Sequence, residues 1–331
     1  MRKIEGARQE YAAWCEAIGI TTMSDVNRIL DNGDGIALIN LCEARQERKY
    51  MEVADQIFWR RKECRIVMMS GPSSSGKTSS SLRIAQQCRV LGLFPKVIEL
   101  DNYFVDREFT PRDEKGEYDY EHIKAMDVER LNKDLNDLLN GKAVELPKFN
   151  FTTGKREASG NVMTLADNEC LFMEGIHALN PALTPHIDQG RIFHVYISAL
   201  TSLMNGEKDH YSTTDKRLLR RIVRDNRVRN TSPESTILRW PSVRRGEKLN
   251  IFPYEENADI VFNSSTLYDI PLLKYYSEPL LYEISEGSPA YEKAQSLIEF
   301  MRDVRPLKPA EIAAIPPTSI MREFIGGQKL V

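Results

Sequence analysis

The 331 residues carry 45 Lys and Arg against 48 Asp and Glu, a net charge of −3, which argues against a basic nucleic-acid-binding surface and makes nucleic acid an unexpected partner. With 41% hydrophobic and 28% charged residues, the chain can bury the core of one large domain with appendages. Its five dispersed cysteines (Cys15, Cys42, Cys64, Cys88, Cys170) lack the spacing of a disulfide framework or zinc site, and no run approaches the ~18 apolar residues of a membrane span.

Residues 1–5 lead straight into a charged amphipathic pattern with no apolar leader core, so a cytoplasmic protein is expected. Up to residue 62 the chain reads as helical. Tyr11, Trp14, Cys15 and Ile18 recur at helical spacing, and Ser24 and Asp25 read as a cap before Val26, Ile29 and Leu30. After a turn at residues 31–35, a long helical pattern runs from Ile36 to Trp59. This stretch is expected to pack as an appendage on the following domain.

From residue 64 apolar strand runs and helical patterns alternate. Strands are expected at 64–70, 95–100, 169–173, 192–197 and 258–263, and helices at 77–91, 122–140 and 214–228. That alternation implies a parallel sheet covered by helices on both faces, with ligands bound beyond the carboxyl ends of its strands. After residue 275 the pattern turns helical again, from Tyr291 to Val304, and a Pro-bearing tail follows.

The stretch Gly71-Pro72-Ser73-Ser74-Ser75-Gly76-Lys77-Thr78 fits G-x-x-x-x-G-K-[ST] between the first strand and the next helix. The glycines let backbone amides turn toward phosphate oxygens, and the helix N-terminus adds its dipole. Ser73, Ser74, Ser75 and Gly76 are expected to line this cradle. Lys77 should reach the terminal phosphates of a nucleoside triphosphate and Thr78 should hold Mg²⁺.

Other candidates follow strand ends. Asp101 could take a proton from an acceptor hydroxyl, or equally serve as a loop cap. Glu174 ends a buried apolar run and suits Mg²⁺. The helix around Arg217, Arg220, Arg221 and Arg224 crowds like charges, which repel unless an anion lies between them; beside a phosphate loop, a lid closing over triphosphate is expected in preference to a solvated basic face or nucleic-acid contact. Aromatic and acidic residues around Tyr118, Tyr120 and Glu121, and Phe149 with Phe151, could line an acceptor pocket or simply pack. His177, His194 and His210 lack metal-ligand spacing, and His194 lies within an apolar strand.

The joint order of these motifs resembles the uridine kinase / phosphoribulokinase family of P-loop kinases, over about residues 64–265. The matching pieces are Gly71 to Thr78, Asp101-Asn102-Tyr103-Phe104, Tyr118-Asp119-Tyr120-Glu121-His122, Leu146-Pro147-Lys148-Phe149-Asn150-Phe151, Glu174-Gly175-Ile176 and Arg220-Arg221-Ile222-Val223-Arg224-Asp225. The resemblance implies an α/β P-loop NTPase fold with helical extensions, divided as 1–62, 63–275 and 276–331. It implies ATP and Mg²⁺ as cofactors and a nucleoside, uridine first, as the small-molecule partner. A homo-oligomer stays open.

The resemblance also implies roles. Asp101 matches the base for the nucleoside 5′-hydroxyl, with Lys77 and Arg224 as its catalytic companions. Glu121 matches an aspartate that binds ribose hydroxyls, Phe149 a tyrosine beside the base, and Arg156 an arginine just beyond. Arg221 matches a substrate-side arginine, Arg224 and Arg229 lid arginines near the triphosphate, and Glu174 the acid near Mg²⁺. Tyr103 and Tyr120 fall among the substrate-binding motifs. Gly154 stands where uridine–cytidine kinases have a base-reading histidine, and Phe149 lacks a hydroxyl, so two polar contacts that would select a pyrimidine are missing. Two rivals remain: a kinase for another small hydroxyl compound such as a sugar phosphate, and an ATP-driven regulatory protein whose basic helix touches RNA. The stretch before residue 62 and the tail resemble the longer bacterial nucleoside kinases.

Overall fold

A computed structural model describes residues 2–112, 116–150, 152–205 and 209–330. Phe151 and the side chain of His210 lie outside the described residues.

The chain opens with three helices, α1 (Lys3–Ala17), α2 (Met23–Asp31) and α3 (Gly35–Trp59). The cap of α2 is Thr22, not Ser24: its hydroxyl accepts from the Asp25 amide, and the Asp25 carboxylate accepts from the Thr22 amide. That reciprocal box satisfies two orphan donors, which Ser24, already inside the first turn, cannot do.

Next come β1 (Ile66–Ser70), α4 (Lys77–Val90), β2 (Phe94–Glu99), α5 (Val128–Leu139), β3 (Val144–Asn150), β4 (Lys155–Met163), β5 (Glu169–Glu174) and β6 (Ile192–Ser198). The helix expected from residue 122 starts only at Val128. A 3-10 turn at Ile123–Ala125 precedes it, and the Asp127 side chain caps it at the Arg130 amide. After the short strands β7 (Met204–Asn205) and β8 (Asp209–His210) follow α6 (Thr213–Arg229), α7 (Pro233–Asn250), β9 (Ile260–Asn263) and α8 (Asp269–Tyr282). The helices α9 (Tyr291–Phe300), α10 (Pro309–Ala313) and α11 (Arg322–Ile325) end the fold.

Five strands make one parallel sheet in the order β2-β5-β1-β6-β9. In β1 successive side chains point to opposite faces. Val67 and Met69 join the core formed with α3, α4, α6 and α8, whereas Ile66 and Met68 join the core under α5. Both faces are therefore covered by helices, and a wholly apolar central strand is the result. The chain crosses from β1 past β5 to β2 and returns, so the loops after β1, β2 and β5 open at one end of the sheet.

The first core also takes in Tyr11, Leu30 and Ile57 from the N-terminal helices and Ile320, Met321 and Phe324 from the tail. Tyr50 of α3 stacks on Phe262 of β9 at 4.8 Å, and the Gln46 amide donates to the Ser265 carbonyl at 2.9 Å. Helix α8 runs through residue 275, where the sequence places the end of the central domain. Its buried Leu272, Leu273 and Leu281 belong to that same core.

Candidate active site

The loop after β1 adopts the cradle that its glycines permit. Gly76 and Ser74 take left-handed backbone angles (φ 84° and 57°), and a Cβ on Gly71 would lie 2.0 Å from the Ile197 carbonyl oxygen. Only glycine fits there. Lys77 folds back onto this loop, its ammonium donating to the carbonyls of Gly71 (2.8 Å) and Pro72 (3.2 Å). Burial lowers the Lys77 pKa, while the charges of Glu174, Glu323 and Glu247 draw it back up.

Thr78 and Glu174 meet as the motif order implies. The Thr78 hydroxyl donates to Glu174 Oε1 at 2.9 Å, and Glu174 Oε2 is buried with no hydrogen-bond partner among the described residues. Burial raises the Glu174 pKa against the pull of Lys77 and Thr78. A hydroxyl and an under-satisfied carboxylate at a phosphate cradle are the hard oxygen donors that Mg²⁺ takes alongside phosphate oxygens. The residues fit that ion.

Asp101 lies in the 3-10 turn Leu100–Tyr103 after β2, inside its first turn, and the N-cap position is held by Glu99. Asp101 lines a cleft of about 490 Å³ with Lys77, Glu121, Glu174, His177 and Arg229. Its pKa is raised, first by the surrounding protein and then by Glu99, with Lys77 pulling the other way. The cleft thus gathers one lysine, Lys77, and four carboxylates, Glu99, Asp101, Glu121 and Glu174.

The arginine helix is the main departure. Arg217 and Arg220 are 2% and 0% exposed. Arg217 makes a two-pronged pair with Glu247 (2.5 and 2.9 Å), and Arg220 pairs with Asp269 at 2.6 Å. Arg221, Arg224 and Arg229 gather on Asp225 at 3.2, 2.8 and 3.6 Å. The anions that relieve the crowding are carboxylates of the chain itself, so the stripe is not a free lid. Arg217 and Arg221 reach the phosphate loop through Ser73, at its carbonyl (3.0 Å) and hydroxyl (2.8 Å), and Glu247 accepts from the Ser73 amide at 2.9 Å. Arg229 alone of these arginines lines the cleft.

Of the residues expected to bind the acceptor, Tyr120 and Glu121 line the cleft, and Tyr103, Phe149 and Arg156 do not. Tyr103 is buried with its hydroxyl on Asp134 of α5 at 3.2 Å, which places it in the core. Phe149 is buried edge-on against Phe104, and Phe104 against Tyr120, so it backs the wall without forming it. Arg156 is tied to the Asp127 carboxylate. Gly154 has φ 70°, and a Cβ there would come within 2.7 Å of the Arg107 guanidinium, which donates to the Tyr120 hydroxyl at 3.0 Å. An arginine therefore occupies the space that a side chain at 154 would need.

The Glu121 carboxylate lies against α7, with Oε2 1.3 Å from the place a Gly246 Cβ would take. Burial, then Asp119 and Glu247, push its pKa up to about 7, and Arg221 and Arg245 hold it down. Sequence reasoning did not find Phe104, Met126 or His177 in the cleft. His177 is 3% exposed with neither ring nitrogen in a full hydrogen bond among the described residues. Burial and His122 lower its pKa to about 4 against the Glu121 backbone and Asp119, so it is neutral. A single histidine has no spacing by which to be noticed.

A central parallel sheet with the phosphate loop at its first strand end defines the P-loop class. The sequence profile of the Phosphoribulokinase / Uridine kinase family matches residues 66–271, and the chain belongs to that family of kinases. The uridine kinase of Macrococcus caseolyticus is 31% identical over 217 residues, 64% of this chain and 96% of that protein. The uridine kinase of Ligilactobacillus salivarius is 31% identical over 198 residues, 59% of this chain and 83% of that one. A solved structure described as a possible uridine kinase from Bacillus stearothermophilus is 20% identical, with a TM-score of 0.39 over 64% of this chain and all of that one. No helix among the described residues is long and apolar enough to cross a membrane.

Proposed function

We propose that this chain transfers the terminal phosphoryl group of ATP, with Mg²⁺, to the 5′-hydroxyl of a nucleoside, uridine being the first candidate. The observation that carries this reading is Asp101 facing Lys77 and Glu174 across one cleft. The names of the curated relatives favour uridine. Loop amides and Lys77 hold the donor phosphates, with Arg224 and Arg229 beside them. Thr78 and Glu174 hold Mg²⁺, which when bound spreads the charge developing on the phosphoryl oxygens. Glu121 and Tyr120 orient the acceptor. Asp101 takes the proton as the hydroxyl oxygen bonds to phosphorus, and the bond from phosphorus to the leaving ADP oxygen breaks. Its raised pKa makes it a better base than a free carboxylate.

Phosphoryl transfer from ATP–Mg²⁺ to a panel of nucleosides and sugar phosphates tests the acceptor class. Uridine or another nucleoside should give a 5′-monophosphate, whereas turnover of sugar phosphates alone would overturn the reading. Asp101→Asn should lower kcat by about 10²- to 10⁴-fold, the range of general base catalysis, with ATP affinity nearly unchanged. Isothermal titration beside steady-state kinetics separates the two quantities.

A further inference from the structure

The tail lies beyond residues 66–271, where the family profile ends, yet it docks on the phosphate loop. Ile320 comes within 3.0 Å of where a Gly76 Cβ would be, beside Ser264. Phe324 is fully buried under the Arg220 guanidinium, 5.0 Å from its ring centre. Arg322 donates to the Ile315 carbonyl at 2.6 Å and fixes the preceding turn. These contacts deliver two polar side chains to Ser79, in the first turn of α4. Glu323 Oε2 accepts from the Ser79 hydroxyl at 2.5 Å and its amide at 3.3 Å, and the Gln328 amide donates to the same hydroxyl at 2.6 Å.

The direction of the donor follows from the cleft. Lys77 and Glu174 border the cavity that holds Asp101, so the transferred phosphate must face that side. A nucleotide gripped by amides at a helix N-terminus then has its sugar and base on the other side of the first turn. There the tail supplies the surface. Glu323 is half-buried, and its second oxygen, Oε1, makes no hydrogen bond among the described residues. A carboxylate oxygen fixed through its partner, with free lone pairs, suits a sugar hydroxyl or an exocyclic amino group.

We propose that residues 316–328 form the outer wall of the donor site, with Glu323 accepting a hydrogen bond from the sugar–base end of the nucleotide. The proposal rests on the kinase reading above. It gives the tail a binding role that the family match does not reach.

The test compares ATP–Mg²⁺ with inorganic tripolyphosphate–Mg²⁺, which carries the phosphates and no sugar or base, by titration calorimetry on the full chain. Glu323→Ala should weaken ATP by about ten-fold or more, as the loss of one hydrogen bond to a charged group implies. Tripolyphosphate binding should not weaken, because the substitution removes a negative charge that acts on Lys77 and frees the Ser79 amide. Equal weakening of both probes would make Glu323 a support of the loop and overturn the proposal, as would unchanged ATP affinity. Glu323→Gln, which keeps the shape and the Ser79 contact, serves if the alanine variant unfolds and should show the same selective loss to a smaller degree. Wild-type chain that fails to bind ATP–Mg²⁺ at all would sink the kinase reading itself.

Discussion

Glu121 carries the most displaced carboxyl of the acceptor wall, with a pKa pushed up to about 7 by burial and by its neighbours Asp119 and Glu247. An acid whose folded pKa is raised stabilises the fold below its unfolded value and loses that contribution as pH rises through about 7. In the proposed reaction the dependence runs the other way, because only the carboxylate can accept hydrogen bonds from two acceptor hydroxyls. The acceptor KM should therefore rise as pH falls below 7, by at most about ten-fold per pH unit. Initial-rate profiles of the wild type and Glu121→Gln check this, since the variant should lose that limb of the profile. Gly246 is the silent partner of this residue. With no side chain it leaves the space into which the longer acid extends.

At the scale of elements, α6 and α7 are held together by charge. Arg217 and Glu247 are buried, and removing Arg217 leaves Glu247 with only the Arg244 guanidinium and the Ser73 amide to offset its burial. Arg217→Ala should destabilise the fold by about 3–5 kcal/mol. The double variant Arg217→Met, Glu247→Met should lose less, and denaturant midpoints would show it. The basic stripe was plain in the sequence, but its partners were not. Glu247 and Asp269 lie 30 and 49 residues along the chain from their arginines, and local spacing says nothing about such pairs. Helix α7 escaped notice because its buried face holds Pro233, Thr236, Gly246 and Glu247 beside two large apolar residues, Ile237 and Trp240. That mixture gives no periodic stripe. The β3–β4 hairpin was hidden similarly: β4 is exposed along almost its whole length, and a register shift between Glu145 and Pro147 breaks the alternation of β3. By contrast the phosphate loop and Glu174 each sit at the end of a buried apolar strand, so contiguous residues announced them.

Across the whole molecule, the N-terminal helices and the tail share the core of the central sheet. Glu43 of α3 accepts from the Ser319 hydroxyl at 2.8 Å and from Tyr268 at the start of α8, a three-way junction that joins both extensions to the region after β9. Differential scanning calorimetry should give a single cooperative transition; separate melting of residues 1–62 would contradict that. Sequence patterns located these extensions as helical without showing where they dock, because docking depends on contacts more than 200 residues apart, such as Gln46 on Ser265.

Gly246 and Glu247 are consecutive residues of one helix. The first leaves room for the Glu121 carboxylate, which lines the cleft, and the second accepts from the Ser73 amide of the phosphate loop. Neighbours on a rigid rod cannot be displaced independently. A shift of Ser73 on phosphate binding would therefore be felt at the seat of Glu121, and if it changed affinity for the acceptor, linkage would require the influence to be mutual.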